Sequence, residues 1–236
     1  MQDRYAGDVG DFSKFQLLRE LHKNSGLRLG ISWYRFPDED HNRDGGKVGY
    51  AYKHEYTSCE PDLTDALRKV LQGTRSVRAL EGAGVLPPTT LYFSELIPRQ
   101  GGPQRAEWFQ RSLEALAPAE IVMADPDNGF LPMSVGLGSS RFGKYIVDDE
   151  VSGLLGVAGL VVVYHHFSRQ GKHVEQAQRV GFHFERLHGK RPVMIRFRRH
   201  SPRLYVAFCR DTWAEELAMT TLNSLARRCP DFWQVM

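Results

Sequence analysis

Reactive side chains are densest at Asp-Pro-Asp-Asn-Gly-Phe, residues 125–130, which follow the apolar run Ile-Val-Met-Ala at 121–124 with no spacer. Polar side chains just beyond a buried strand enter the crevice where open α/β sheets bind ligands. There Asp125 can accept a hydrogen bond from a substrate amine or hydroxyl, and Asn128 can both donate and accept. Asp127 adds a second carboxylate, Phe130 offers a stacking surface, and Pro126 and Gly129 shape the turn. A plain Asp-Pro/Asn-Gly turn has the same composition, but this density of acids directly after a strand favours a site.

Several other residues are candidates. His165 and His166 end the next apolar run and could join Asp125 and Asp127 as ligands for Mg or Mn in a phosphodiesterase or nuclease. Adjacent strand residues face opposite ways, so only one histidine reaches the crevice, and we place His165 there as a base-binding group. Arg196, Arg198, Arg199 and Arg203 crowd one short stretch and suit nucleic-acid phosphates, although a charged strand edge looks the same. Arg169 and His173 are further phosphate candidates. Trp33 and Tyr34 could stack on an adenine, though aromatics at a strand end are commonly core. Glu81 and Glu95 are rivals for an acid that grips ribose, and Asp38, Glu39, Asp40 and Asp44 lie in a polar loop after the first strand.

These residues need a frame. A helix begins near Asp11, taken as its cap, and continues through Phe12, Phe15, Leu18 and Leu21 to Asn24-Ser25-Gly26. Strands are expected at 29–34, 91–93, 121–124, 160–164, 193–197 and 204–208. Helices are expected from Pro61 through Leu71, ahead of Pro118, near 148–155, across 174–187 and over 213–226, with a long loop near 36–60. The polar link 198–203 makes the last two strands antiparallel neighbours. The expected fold is a single three-layer, doubly wound α/β domain over residues 1–236, its sheet mostly parallel with a C-terminal antiparallel pair. Class I methyltransferases share that layout, which brings S-adenosylmethionine (SAM) into consideration as cofactor.

Composition limits the alternatives. The chain has 236 residues, 42% apolar and 25% charged, ordinary for a globular protein. Its 31 basic and 28 acidic residues give +3, too weak a field to identify a polyanionic partner alone. Cys59, Cys209 and Cys229 are widely spaced, which fits a reducing compartment, and no apolar run reaches membrane-spanning length. A cytoplasmic protein without membrane contact is therefore expected, and its oligomeric state stays open.

The segment Ala-Gly-Asp-Val-Gly-Asp-Phe-Ser-Lys-Phe at 6–15 resembles the opening of the bacterial 23S ribosomal RNA adenine-N6 methyltransferases of the J type, which carry Ala-Gly, Asp and Lys at the offsets of Ala6, Gly7, Asp11 and Lys14. The resemblance implies SAM binding by this segment, with Gly7 and Asp11 beside the cofactor and Lys14 near its carboxylate. It also implies an RNA substrate whose target amine is held at an Asp-Pro-Pro-aromatic motif. Asp125 and Pro126 match the first half of that motif, while Asp127 and Asn128 stand in place of its second proline and aromatic. Trp33 and Glu95 complete the cofactor residues expected here. The glycine-rich turn these enzymes place after the first strand is replaced by Ile-Ser-Trp-Tyr-Arg-Phe-Pro at 31–37, with Gly45 and Gly46 well downstream.

Overall fold

Short apolar segments bounded by polar residues become the central strands, and helices with one apolar stripe cover them. In the computed structural model, which describes residues 1–39 and 45–236, the chain runs α1 (Val9–Ser25), β1 (Leu29–Ser32), α2 (His54–Cys59), α3 (Pro61–Gln72), α4 (Val77–Glu81), β2 (Leu91–Phe93), α5 (Pro103–Leu116) and β3 (Ile121–Ala124). It continues through β4 (Gly129–Phe130), β5 (Tyr145–Ile146), α6 (Asp148–Val157), β6 (Leu160–His166), α7 (His173–His188), β7 (Val193–Phe197), β8 (Arg203–Cys209), α8 (Thr212–Arg228) and β9 (Trp233–Val235).

The main sheet has the order β2-β1-β3-β6-β8-β7-β9. Its β2, β1, β3 and β6 are parallel, whereas β8 pairs antiparallel with both β6 and β7, and β9 pairs antiparallel with β7. The fold is therefore the expected doubly wound, mostly parallel α/β arrangement with an antiparallel pair near its end. Because β8 is inserted between β6 and β7, β7 points the same way as the parallel strands. The tip of its hairpin, residues 198–202, consequently emerges at their carboxyl edge.

The two sheet faces bury separate apolar clusters. Phe12, Phe15 and Leu18 of α1, Leu67 of α3, and Leu222 and Leu225 of α8 cover Ile31, Met123 and Val162. On the opposite face Trp108 and Leu116 of α5, Leu154 of α6 and Phe184 of α7 cover Val122, Val161 and Val163. Val161, Val162 and Val163 have helices on both sides, which is why β6 reads as a continuous apolar run.

Three local expectations change. Asp8, not Asp11, caps α1: its side chain accepts from the Gly10 and Asp11 amides. The loop ends sooner than expected, because residues 49–52 form a 3-10 turn and α2 follows at once, held by Tyr50 and Tyr56 packing on Phe12. On α7, whose Val174, Ala177, Val180, Gly181, Phe184 and Leu187 the helical spacing predicts on one inward side, Ala177, Gly181 and Phe184 turn inward while Val174 and Leu187 stay exposed. No helix among the described residues is long and apolar enough to cross a membrane.

Candidate functional site at the carboxyl edge of the sheet

The chain leaves β1 for β2 on one side and later returns as β3 on the other, so a topological switch point lies between β1 and β3. Ser32, Ala124 and Val163 are aligned in register, which brings Asp125 and Tyr164 out at the same crest. The first turns of α1 come down onto that crest. Lys14 Nζ meets Asp125 Oδ2 at 2.7 Å and Asp11 Oδ1 at 3.0 Å. It also faces the Tyr164 ring 4.6 Å from the centroid, a cation–π contact.

All three ionic groups are buried, at 4% exposure for Lys14, 1% for Asp125 and none for Asp11. Burial raises both carboxyls above their ordinary value, opposed in each case by the Lys14 charge. Burial would lower the ammonium, but Asp11 and Asp125 outweigh it and hold Lys14 well above its ordinary range. A lone charge here would be prohibitively desolvated, whereas one cation shared by two acids keeps Asp125 able to ionise. Lys14 takes Asp125 Oδ2, and Oδ1 has no hydrogen-bond donor among the described residues.

A cavity of about 310 Å³ opens against this cluster, bounded by Asp8, Lys14, Asp125, Asp127 and Asn128, and also by Tyr164 and His166. Lys47, Arg169, Ser201 and Arg203 form its more outward wall. The Arg203 guanidinium donates through Nε to Tyr164 Oη at 2.6 Å. Lys47 and Arg169 are exposed and have no anionic partner among the described residues. The Asn128 side chain likewise makes no hydrogen bond there, while its backbone is fixed by its amide donating to the Lys144 carbonyl and its carbonyl accepting from the His166 amide. The site therefore joins an acidic floor to a cationic rim.

Of the two histidines, His166 reaches the cavity and His165 does not, which corrects the expectation. His165 lies beneath Gly129, where its Nδ1 accepts from the Phe130 amide at 3.2 Å and its ring packs 5.1 Å from Phe130. Phe130 also packs 4.7 Å from Phe184, so its ring is committed to the core rather than to a ligand. Burial lowers His165 to about 4 and His166 well below its usual range, the latter helped by Arg203, His165 and Lys14. His166 is thus a neutral imidazole at neutral pH.

Asp127 sits at the cavity edge, but its carboxylate is engaged: Gln2 Nε2 donates to Oδ2 at 2.7 Å and the Met1 nitrogen lies 2.7 Å from Oδ1. Arg196, Arg198 and Arg199 are not among the cavity-lining residues. Arg196 binds Gln234, Arg198 donates to the Pro230 carbonyl, and Arg199 faces Asp231 at 3.7 Å. Their neighbour Arg203 is the one that arrives, because it pairs across the ladder with His166 and shares its face. His173 stacks on Phe167. Among the described residues no three His, Cys, Asp or Glu side chains gather as a metal site, and the engaged Asp127 and averted His165 explain why the Mg or Mn set does not assemble.

The residues expected to hold SAM, some from the resemblance and some from their place in the chain, do not converge as expected. Gly7 has φ +79 and its amide donates to Asp11 Oδ2, while Leu71 fills the space its side chain would take. Trp33 is fully buried with its indole N–H on Glu81, and Glu95 is half-exposed and paired with Arg111. Tyr34 takes a left-handed φ of 46 and buries its ring, its hydroxyl donating to Glu150. The crest of β1 is overlaid by Met1, whose nitrogen donates to the Tyr34 and Asp125 carbonyls and whose carbonyl accepts from the Phe36 amide. Lys14 is already shared by two carboxylates. These residues do not fit SAM in the implied position.

The loop after β1 nevertheless brings Gly45 and Gly46 to the cavity wall, where sequence distance had argued against them. Gly45 has φ +83, and a side chain there would press on the Arg4 carbonyl and Tyr5. Asp38 accepts from the Arg4 amide and Glu39 pairs with Lys144. Asp40 and Asp44 lie outside the described residues. No protein-family model matches the chain, and no curated protein is significantly similar to it.

Proposed function

We propose that the protein is an enzyme with a methyltransferase-like frame that acts on a nucleic acid, RNA being the form its sequence resemblance favours. The observation that carries this reading is the Lys14–Asp125 pair at the switch point, facing a nucleotide-sized cavity rimmed by the exposed cations Lys47 and Arg169. Pockets for small ligands start at about 300 Å³, so this one suits a single extruded nucleotide. Asp125, kept ionisable by Lys14, accepts a hydrogen bond from an amine or hydroxyl of that nucleotide and raises its nucleophilicity. Asn128 orients the base edge, neutral His166 supplies a second acceptor, and Lys47, Arg169 and Arg203 hold the flanking phosphates.

SAM is the donor implied by resemblance, and no step is assigned to it because the residues around β1 do not fit it as implied. The test has two arms. Fluorescence anisotropy with single-stranded RNA should show binding that weakens as salt rises and falls further in a Lys47→Ala/Arg169→Ala variant. Equal binding by that variant would remove the nucleic-acid reading. Calorimetric titration with SAM then decides the donor: saturable heat competed by S-adenosylhomocysteine would support methyl transfer, and its absence in RNA-competent protein would end it.

A further inference from the structure

Away from the cavity, two reactive side chains meet beneath α1. Cys59 ends α2, Cys229 immediately follows α8, and their sulfurs are 2.6 Å apart. A disulfide spans about 2.05 Å, so the two sulfurs already lie close to bonding distance. The fully buried Gln16 organises both sulfurs. Its Nε2 lies 3.2 Å from Cys59 Sγ and 3.6 Å from Cys229 Sγ, while its Oε1 accepts from the Trp233 indole at 2.7 Å. Arg228 stands beside Cys229 and binds Glu60, the neighbour of Cys59, at 2.8 Å.

We propose that Cys59 and Cys229 form a redox-sensitive pair that closes reversibly to a disulfide on meeting a hydroperoxide. The two thiols are not equivalent. The hydrogen bond from Cys59, followed by the Arg228 charge, lowers Cys229 to about 7 against the opposing effect of burial, while Cys59 is pushed up. The position of Arg228 directly before Cys229, together with this lowering, assigns Cys229 as the nucleophile and Cys59 as the resolving thiol. Cys59 is partly exposed and Cys229 is buried, and a cleft of about 590 Å³ lined by their neighbours Glu60 and Arg228 opens nearby.

In the first step the Cys229 sulfur attacks one peroxide oxygen, the O–O bond breaks, and the departing hydroxide takes up the thiol proton as water. That leaves a sulfenic acid on Cys229. The Cys59 sulfur then attacks the Cys229 sulfur, the S–O bond breaks, and the second hydroxide leaves with the Cys59 proton. Two thiols and one hydrogen peroxide yield one disulfide and two waters, the sulfurs supplying both electrons. Cys209 on β8 is an internal control, since burial raises it to about 12.

The experiment uses the full chain, reduced, freed of reductant and exposed to hydrogen peroxide up to millimolar concentration. Remaining thiols are alkylated, and the protein is digested without reduction for mass spectrometry. The expected product is a Cys59–Cys229 peptide pair lighter by two hydrogens, reversed by dithiothreitol, with Cys209 alkylated throughout. Its rate should rise with pH around a midpoint near 7. Recovery of all three thiols as alkylated residues, or overoxidation of Cys229 without a bridge, would overturn the proposal. In Cys59→Ser, dimedone should trap a sulfenic acid on Cys229, and a trap on Cys209 instead would also refute it. Because the main readout uses the unsubstituted protein, it does not depend on the variant folding.

Discussion

Replacing Lys14 by Met removes the single cation that two buried carboxylates share. Asp11 and Asp125, at 3.0 and 2.7 Å from Nζ, would then face each other's charge, with the Met1 nitrogen as a weaker opposing influence on Asp125. Deleting one partner of a buried pair costs about 3–5 kcal/mol, which for a chain of this length is a fall of roughly 6–20 °C in Tm. Asp125→Asn should cost less, since Asp11 and Lys14 still pair, and the double variant should fall short of the summed losses.

The pH dependence gives a sharper test of that account. Both acids already have folded-state values raised above the ordinary 3.8, so the native state binds more protons than the unfolded chain above that pH. Stability from these groups is thus greatest in acid and declines as pH rises through the folded-state values. Loss of Lys14 raises them further, so the Lys14→Met deficit should be larger at pH 7.5 than at pH 5. Lys14 itself, raised above 10.5, contributes stability that is complete below 10.5 and lost at higher pH. Urea unfolding followed by circular dichroism at several pH values measures all of this. A deficit under about 1 kcal/mol at pH 7.5, or one that grows in acid, would refute the shared-cation argument.

Further expectations follow from neighbouring residues. Gly129→Ala should cost about 2 kcal/mol or more, read as a Tm drop of roughly 4 °C or more, because a left-handed site would gain a methyl group pressing on His165. At that position φ is +98, and the added Cβ would lie 2.8 Å from the His165 Cα. An unchanged melting curve would contradict it. His165 and His166 should titrate below the usual 6.5 by NMR, His165 near 4, and the protein should lose stability as pH falls below 6.5 because the unfolded imidazoles take up protons first. Removing Lys47 or Arg169 should each lower the salt-dependence slope of RNA binding by about one and weaken all sequences alike. A slope unchanged by either substitution would argue against phosphate contact.

Much of the frame was readable because burial leaves a plain signature. The expected spans 91–93, 121–124 and 193–197 match β2, β3 and β7, each a compact apolar run between polar or turn residues. Residues 49–60 were unreadable as helix because Tyr50 and Tyr56 are held there by Phe12 and Phe232, contacts remote in sequence. Strand β9 is too short to declare itself without its partner β7. At the site, Lys14 and Asp125 were expected beside one pocket with Lys14 on a SAM carboxylate, whereas the direct ion pair between them was not foreseen. Strand alternation showed that one histidine must face away, but which one depends on the face that α1 covers, and that is set by the completed sheet. Arg203 differs from Arg196, Arg198 and Arg199 for the same reason: its place across from His166 is a matter of register, invisible to composition.

The inserted β8 also has a consequence for divergence. Residues 198–202 close a hairpin whose tip rests on the edge of one apolar layer, His200 against Tyr56 and Arg199 over Phe232, while Ser201 and Arg203 at its descending side touch the cavity. Only a few side chains anchor that tip, so homologous chains can retune which molecule they grip by editing a handful of positions there. Variation in ligand preference is accordingly expected to collect at this hairpin, while the Lys14–Asp125 floor stays constant.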